Sequence, residues 1–264
     1  MIRDEDDKVC VAEGDSLTYL SRSPTSTFWE TTDVAAAEGV VYTCTGVASF
    51  GVHDTSKPKN LTFVEQFAWS PSNNAYPRCS HIDLDGDHIL VSARVDEVQT
   101  TAFVALLDVK NPLAPQPLDD FTSEGALFEE AALQGDRAFV ADAALGLQVF
   151  DIGNDTLEKL ADITGLGPVT RVARYGDGVV AGTSAGRIHT IGADLTVQSS
   201  MDVGVAVQAL LEVDDGRVVV ALGSDGLALI DLDAGEVLAT EDTHGTALRL
   251  DRLDTGEVVV ANWS

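Results

Sequence analysis

Short apolar, β-branched runs recur along the chain, and each of them ends in a small residue. They recur roughly every 40 residues, at 9–12, 41–44, 89–92, 138–141, 179–182, 218–221 and 258–261. Most runs follow a turn rich in Gly and Asp, such as Asp85-Gly86-Asp87 or Gly176-Asp177-Gly178. Gly and Asp tolerate the positive φ that tight hairpins need, so each run is predicted to be the second strand of a hairpin.

A third strand is predicted after the runs, and in four copies it ends in an aspartate: Asp54, Asp108, Asp151 and Asp231. The carboxylate at that position is expected to accept hydrogen bonds from amides of the following turn. A fourth strand, such as 61–64, leads into the next unit, and no helical apolar period interrupts the pattern. Four antiparallel strands per unit of about 40 residues predict the blades of a β-propeller.

The chain ends supply the strands left over from five complete units. Three strands without an inner one are predicted over 8–33, and an inner strand plus one more over 247–263. Because propeller rings usually close with strands from both ends, we expect a single all-β propeller domain over 1–264 with six blades. The surplus last strand leaves two alternatives, a seven-bladed ring or a truncated ring from a longer protein.

The repeat resembles the LVIVD-repeat family. The residues that carry the resemblance are Val41 to Val64, with Asp54-Thr55-Ser56-Lys57-Pro58, and Ala138 to Asp151. The match weakens after residue 168, where Gly192 occupies the place of the aspartate. The resemblance implies a propeller found mainly in surface or secreted proteins of bacteria and archaea, most of them without an assigned activity. It therefore favours an extracytoplasmic location and implies little about chemistry.

Composition restricts the partners. The 264 residues include 43 acidic and 16 basic side chains, for a net charge of −27. Nucleic acid and anionic membranes are disfavoured as partners, since both require clustered Lys and Arg. The longest apolar run, 102–107, is too short to span a bilayer, and no signal peptide is visible near Met1. The acidity indicates a solvated surface of the kind that stays soluble in concentrated salt, with Ca²⁺ collection as the alternative.

The three cysteines allow at most one disulfide. Cys10, Cys44 and Cys79 match no zinc-ligand spacing, and three is too few for a disulfide framework. Cys10 and Cys44 fall within predicted strands, where cysteine packs as a small apolar residue.

Two motifs resemble functional sites but also fit hairpin turns. Residues 182–186 read Gly-Thr-Ser-Ala-Gly, the sequence of a nucleophile elbow, but a strand and not a helix is predicted to follow. Residues 83–87 place three aspartates as a calcium loop does, without its glutamate at the twelfth position. We expect a turn at both places, and no metal or other cofactor, with Ca²⁺ as the alternative.

One set of charged residues is predicted to line one mouth of the central channel. When the units are aligned on their turns, the inner strands begin with Asp33, His81, Glu130, Arg171, Ala209 and Arg249. Such a ring is the best candidate for binding a small polar ligand or a metal. The alternative is that these side chains form ion pairs between blades and cap strand ends.

Two long loops, near 69–80 and 94–101, are predicted at the same face. They bring Trp69, Tyr76, Arg78 and Arg94 near His81, and exposed aromatic residues beside arginine are typical of a binding patch. The alternative is that the two aromatic residues cover a blade edge.

The sequence favours a non-catalytic propeller that binds a protein or a small polar ligand on its loop-rich face, without nucleic acid and without membrane insertion. A metal-dependent hydrolase or lyase at the channel mouth is the alternative, with Asp33, His81 and Glu130 as its only plausible ligands. A purely structural module of a longer surface protein is the third hypothesis.

Overall fold

The computed structural model describes residues 8–13, 16–22, 31–45, 49–57, 62–68, 77–95, 101–214, 216–253 and 255–263. Every regular element in these ranges is a β-strand. The strands are β1 Lys8–Glu13, β2 Ser16–Arg22, β3 Thr31–Ala37, β4 Val40–Thr45, β5 Ser49–Asp54, β6 Thr62–Ala68, β7 Pro77–Asp85, β8 His88–Val95, β9 Thr101–Asp108, β10 Gln116–Glu124, β11 Phe128–Gln134, β12 Arg137–Asp142, β13 Gly146–Asp151, β14 Glu158–Ile163, β15 Val169–Tyr175, β16 Gly178–Thr183, β17 Arg187–Ile191, β18 Val197–Asp202, β19 Ala209–Asp214, β20 Arg217–Ala221, β21 Leu227–Asp231, β22 Glu236–Glu241, β23 Thr246–Arg252 and β24 Val258–Trp263.

The strands form a series of small antiparallel sheets. Five sheets have four strands in sequential order, which we number I (β3–β6), II (β7–β10), III (β11–β14), IV (β15–β18) and V (β19–β22). Two further sheets have two strands each, β1–β2 and β23–β24. The predicted all-β fold with four antiparallel strands per repeat is confirmed for sheets I to V, and each of these five sheets resembles a propeller blade.

Three strands were predicted over 8–33, a range that the structure describes only in part. The structure describes two strands there, β1 and β2, and residues 31–33 open β3. Because the tight turn at Glu38 and Gly39 pairs β3 with β4, these residues belong to the inner strand of sheet I. Residues 23–30 lie outside the described ranges. The two strands predicted over 247–263 match β23 and β24.

The chain divides into two compact units, Met1–Gly125 (unit 1) and Ala126–Ser264 (unit 2). Sheets I and II pack together in unit 1, with β3 beside β7, and in unit 2 the first strands β11, β15, β19 and β23 lie side by side in that order. In unit 1, Tyr42 and Phe50 of sheet I share a core with Ile82 and Phe103 of sheet II. In unit 2, corresponding cores lie between sheets III and IV and between sheets IV and V.

Burial changes from strand to strand within a sheet. The third strand of sheet III, β13, is buried at five of its six positions, whereas β22 of sheet V is exposed along its whole length. Middle strands are covered on both faces, which explains their continuous apolar runs. None of the described elements is a helix long and apolar enough to cross a membrane.

Candidate functional site

Six residues were predicted to line the channel mouth, and we call this set the charged column. Five of the six lie at irregular places in the inner strands. The pairing register shifts beside Asp33, His81, Glu130, Arg171 and Arg249, where one residue of the inner strand is extra. Such β-bulges redirect side chains. Ala209 differs, because β19 pairs regularly with β20 at that position.

In unit 1, Asp33 joins sheet I to sheet II. Its Oδ2 accepts a hydrogen bond of 3.0 Å from the backbone N–H of Ile82. The same oxygen lies 2.6 Å from Nδ1 of His81. Asp33 and His81 therefore lie in contact, and the same carboxylate holds the backbone of the neighbouring sheet.

In unit 2, Glu130 does the same between sheets III and IV. Its Oε2 accepts a hydrogen bond of 3.0 Å from the backbone N–H of Val172. Asp33 and Glu130 therefore bind the amide that follows the corresponding position of the next sheet. A carboxylate that accepts a main-chain amide is a strong, directional link.

The two arginines of the column converge on one carbonyl group. Arg171 donates through Nε to the backbone oxygen of Gln208, and Nη1 of Arg249 lies 3.4 Å from the same oxygen. Each arginine also donates to the carbonyl of the residue before it, Arg171 to Thr170 O at 2.7 Å and Arg249 to Leu248 O at 3.2 Å. Gln208 directly precedes Ala209, so the two guanidinium groups flank the one apolar position of the column.

Arginines also link the opposite ends of the inner strands. Arg174 of β15 donates to Leu133 O of β11 at 2.8 Å, and Arg252 of β23 donates to Val213 O of β19 at 2.8 Å. In both cases the arginine of one inner strand binds the inner strand of the preceding sheet. The sheets of unit 2 are therefore joined at both ends of their inner strands.

A disulfide joins the two sheets of unit 1. Cys44 of β4 is bonded to Cys79 of β7, with 5.4 Å between their Cα atoms. Both cysteines are buried. The hydroxyl of Thr32 donates to Cys79 O at 2.8 Å and lies 3.2 Å from Cys44 O. The bond agrees with the expected limit of one disulfide, although the sequence does not select its partners.

The predicted binding patch is described only in part. Trp69 and Tyr76 lie outside the described ranges. Arg78 and Arg94 are exposed and stand opposite each other in the register of β7 and β8. His81 lies three residues beyond Arg78 on the same strand, so these three predicted residues share one end of sheet II.

The calcium-like segment 83–87 forms a hairpin turn. Asp83 and Asp85 belong to β7, and Gly86 has a φ of 55° between β7 and β8. Within the described ranges, no three His, Cys, Asp or Glu side chains come together as metal ligands do.

Ser184 of the Gly-Thr-Ser-Ala-Gly motif is exposed in the turn between β16 and β17. The expected hairpin is confirmed, since a strand follows. Gly186 has a φ of 84°, and a Cβ there would lie 2.8 Å from Val205 N. Gly146 and Gly226 occupy the corresponding places in sheets III and V, with positive φ and with a backbone oxygen that lies closer still to the position of a Cβ. The motif's last glycine is therefore required by the turn.

The four aspartates at the ends of third strands have the predicted role. Asp54, Asp108 and Asp151 each accept a hydrogen bond from the amide two residues later, at 2.8, 2.7 and 2.9 Å. Asp231 accepts one from Ala234 at 2.8 Å. A hydrogen bond from the Ser56 side chain, followed by the Ser56 amide, lowers the pKa of Asp54 below its ordinary value. The Lys110 amide is the main cause of the lowered pKa of Asp108.

Two buried polar groups were not anticipated. Asp142, fully buried, accepts hydrogen bonds from the amides of Leu127 and Ala144 at 2.9 Å and from Nε2 of Gln148 at 2.8 Å. His189 contacts Oγ of Ser200 at 2.8 Å. The sequence offers one signal for Asp142, since it directly follows the run 138–141. Thr183 directly follows the run 179–182, and its hydroxyl accepts a hydrogen bond from the backbone N–H of Arg187.

The environment of His189 fixes its protonation. Its Nε2 lies 3.1 Å from Leu166 O, which only accepts, so Nε2 carries the proton and Nδ1 accepts from Ser200. Burial lowers the pKa of His189. Both ring nitrogens are occupied within sheet IV and its preceding loop, which makes this histidine part of the core.

Comparison with known proteins gives a fold and no family. No family model matches the chain, and no curated protein matches it. Among solved structures 1224 chains match. One is the computationally designed Ika8 protein, with a TM-score of 0.60 and 14% sequence identity, over 88% of this chain and 80% of that chain. At that identity the similarity concerns the fold alone.

Proposed function

We propose that this protein is a non-catalytic binding module, a six-bladed propeller that engages a protein or a small polar ligand on the face where the inner strands begin. The observation that carries the proposal is that the two acids of the charged column bind main-chain atoms. Asp33 and Glu130 are held by backbone amides of the neighbouring sheets, at 3.0 Å in each case. Side chains fixed in this way favour a rigid frame for a binding surface.

The proposed ring closes by combining the two short sheets. Sheets β1–β2 and β23–β24 have two strands each, and together they supply the four strands of one blade. In unit 2, β23 lies beside β19, as an inner strand does. A division into two and two strands would give the last strand a place in the ring, whereas the predicted division left it surplus.

Native Cys10 of β1 provides a test of closure. We would introduce one cysteine at a time at positions 258–261 of β24, and Leu238→Cys in β22 as the control. Closure predicts that at least one β24 cysteine forms a disulfide with Cys10 within the monomer, detected by non-reducing peptide mapping. The absence of such a bond in all four variants would contradict a six-bladed ring and favour the seven-bladed or truncated alternatives.

The binding surface is tested by chemical-shift mapping. A panel of amino acids, sugars and short peptides would be titrated into ¹⁵N-labelled protein. We expect saturable shifts that centre on Arg78, His81 and Arg94 for at least one class of compound. Arg78→Gln and Arg94→Gln should weaken that binding, whereas Arg217→Gln should leave it unchanged because Arg217 belongs to β20 of sheet V and is not part of this surface. Shifts absent for the whole panel would count against this surface.

One observation favours the alternative, a metal-dependent hydrolase or lyase. The 2.6 Å contact between Asp33 and His81 is the kind of carboxylate–imidazole pair that orients metal-binding histidines. Metal analysis of the purified protein and of His81→Ala separates the two functions. Stoichiometric Ca²⁺, Zn²⁺ or Mn²⁺ that is lost in His81→Ala would overturn the binding-only proposal.

An LVIVD-repeat-like identity and an extracytoplasmic location are part of the proposal. The turn bonds of Asp54 and Asp108 agree with the repeat pattern. The Cα separation of Cys44 and Cys79 is ordinary for a disulfide, and such bonds persist in oxidising compartments. Thiol trapping in cells that produce the protein tests the location: both cysteines should resist alkylation until reduction, and free thiols would contradict export.

A further inference from the structure

We propose that Ser200 and His189 form a nucleophile–base pair that accepts an acyl group from an activated ester. Both residues belong to sheet IV of unit 2, Ser200 to its outer strand β18 and His189 to the neighbouring strand β17. The inference goes beyond the proposed binding function and does not rest on it, because neither residue belongs to the charged column or to the predicted binding patch.

The hydroxyl of Ser200 donates its proton towards the imidazole of His189. Oγ of Ser200 lies 2.8 Å from Nδ1, and Nε2 lies 3.1 Å from Leu166 O. Because a carbonyl oxygen only accepts, Nε2 carries the ring proton and Nδ1 keeps a lone pair for the hydroxyl. A serine whose hydroxyl contacts an imidazole, which is held in turn by a third group, has the arrangement of an activated nucleophile.

The two members of the pair differ in exposure as this chemistry requires. Ser200 is exposed, so an electrophile can reach its oxygen, whereas His189 is only 4% exposed. Burial lowers the pKa of His189, and the ring is therefore neutral and able to take up a proton at neutral pH. The two residues are directly opposite in the register of β17 and β18, so the sheet holds their side chains together.

The surroundings favour a neutral acyl group. His189 is also paired with Ala181 of β16, which belongs to the core between sheets III and IV. Ser200 therefore faces the margin of that core. The apolar residues that pack against it and are only partly buried are Ala161, Ile163 and Leu195. The net charge of −27 also disfavours an anionic acyl donor.

The proposed step is an acyl transfer to the serine oxygen. Oγ of Ser200 forms a bond to the carbonyl carbon of the ester, and the bond from that carbon to the leaving oxygen breaks. The leaving group departs as its anion with the bonding electron pair. The hydroxyl proton passes to Nδ1 of His189 and from there to solvent, so the products are an acyl-serine, the leaving anion and a proton.

The test uses p-nitrophenyl acetate on the full chain at neutral pH. We expect a burst of p-nitrophenolate equal to the protein concentration and one added acetyl group, which peptide mapping should locate on Ser200. Ser184 is exposed, and Ser199 contacts Oγ1 of Thr190 at 2.8 Å and not a histidine. Both serines are internal controls and should stay unmodified.

Three variants separate the roles of the pair. Ser200→Ala should abolish the burst, and Ser199→Ala should leave it unchanged. In His189→Gln the burst rate should fall about 100-fold or more, the usual contribution of a general base. An amide can replace the two hydrogen bonds of the ring but cannot take up the proton, so this variant distinguishes a base from a structural contact.

Three results would overturn the inference. They are the absence of acetylation at Ser200, equal acetylation of Ser184, or an unchanged burst rate in folded His189→Gln. If His189→Gln does not fold, the ratio of acetylation at Ser200 to that at Ser184 in the wild-type protein decides alone. A Ser200-dependent release that continues past the burst would uphold the inference and contradict the non-catalytic function. Failure at Ser200 with a retained ligand at Arg78 and Arg94 would refute this pair and leave the proposed function standing.

Discussion

The backbone amide of Ile82 donates a hydrogen bond to the carboxylate of Asp33, 3.0 Å away in the neighbouring sheet. Val172 and Glu130 repeat this relationship in unit 2 at the same distance. Acids that begin inner strands therefore act across the gap between sheets, on main-chain atoms.

Removing the Asp33 carboxylate should loosen unit 1. We expect Asp33→Ala to lower the free energy of unfolding by about 1.5–3 kcal/mol, the usual range for a charged hydrogen bond. Asp33→Asn should cost less, because its amide oxygen still accepts from Ile82. Urea unfolding measures both. Glu38→Ala, exposed in the adjacent turn, serves as the control, and an equal loss in that variant would contradict a specific link.

The Cys44–Cys79 disulfide should contribute a large part of the stability of unit 1. It closes a separation of 35 residues, for which loop entropy predicts about 3–4 kcal/mol. Reductant should therefore lower the urea midpoint of the wild-type protein and leave the Cys44→Ala/Cys79→Ala double variant unchanged. Cys10→Ala should respond to reductant as the wild type does. A wild-type midpoint insensitive to reductant would refute the bond's role.

The depressed pKa of Asp108 should appear in acid unfolding. The amide of Lys110 is its main cause, followed by the Lys110 side chain. Because the folded pKa lies below the unfolded value, the stabilisation is complete above the unfolded pKa and is lost as pH falls through the folded one. Asp108→Asn should be less stable than wild type at neutral pH, and the difference should vanish in acid.

Carboxyl ¹³C NMR of Asp108 gives the matching measurement. In Lys110→Met the pKa of Asp108 should rise only in part, because the backbone bond at 2.7 Å remains. Full return to the ordinary value in that variant would show that the ammonium group, and not the amide, is responsible.

His189 should make unit 2 sensitive to mild acid. Burial lowers its pKa from the ordinary 6.5, so the folded protein holds a neutral ring while the unfolded chain takes up a proton. Stability is complete above about pH 6.5 and declines below it, by at most about 1.4 kcal/mol per pH unit. Urea midpoints from pH 5 to 8 should show this decline in wild type and in the exposed-site control His244→Asn. A decline that persists in His189→Gln would exclude this histidine as its source.

The sequence predicts local features of this fold well. Turn aspartates such as Asp54 and Asp151 contact amides two residues away, and this relation depends only on the residue type and the turn. The second strand of each sheet is predictable for the same reason, because its β-branched run and the glycine turn before it are adjacent in the sequence.

Features that depend on distant parts of the chain were not predictable. Asp33 and Ile82 are separated by 49 positions, and a bulge arises only when two strands pair in a particular register. Aligning the units locates Arg171 and Arg249 at strand starts, but no local pattern indicates that both reach Gln208 O. The pairing of Cys44 with Cys79 depends in the same way on how sheets I and II pack.

The outermost strand of sheet V, β22, affects how one copy of the chain can pair with another. β22 is exposed from Glu236 to Glu241 and has an acid at each end, with Val237 and Leu238 open to solvent between them. An uncovered edge strand is a template for pairing with a second chain, and like charges on both molecules oppose that pairing. Salt shortens the reach of this repulsion from about 10 Å at 0.1 M to about 3 Å at 1 M. We therefore expect Glu236 and Glu241, at the two ends of β22, to oppose edge-to-edge pairing of this strand most strongly in dilute electrolyte.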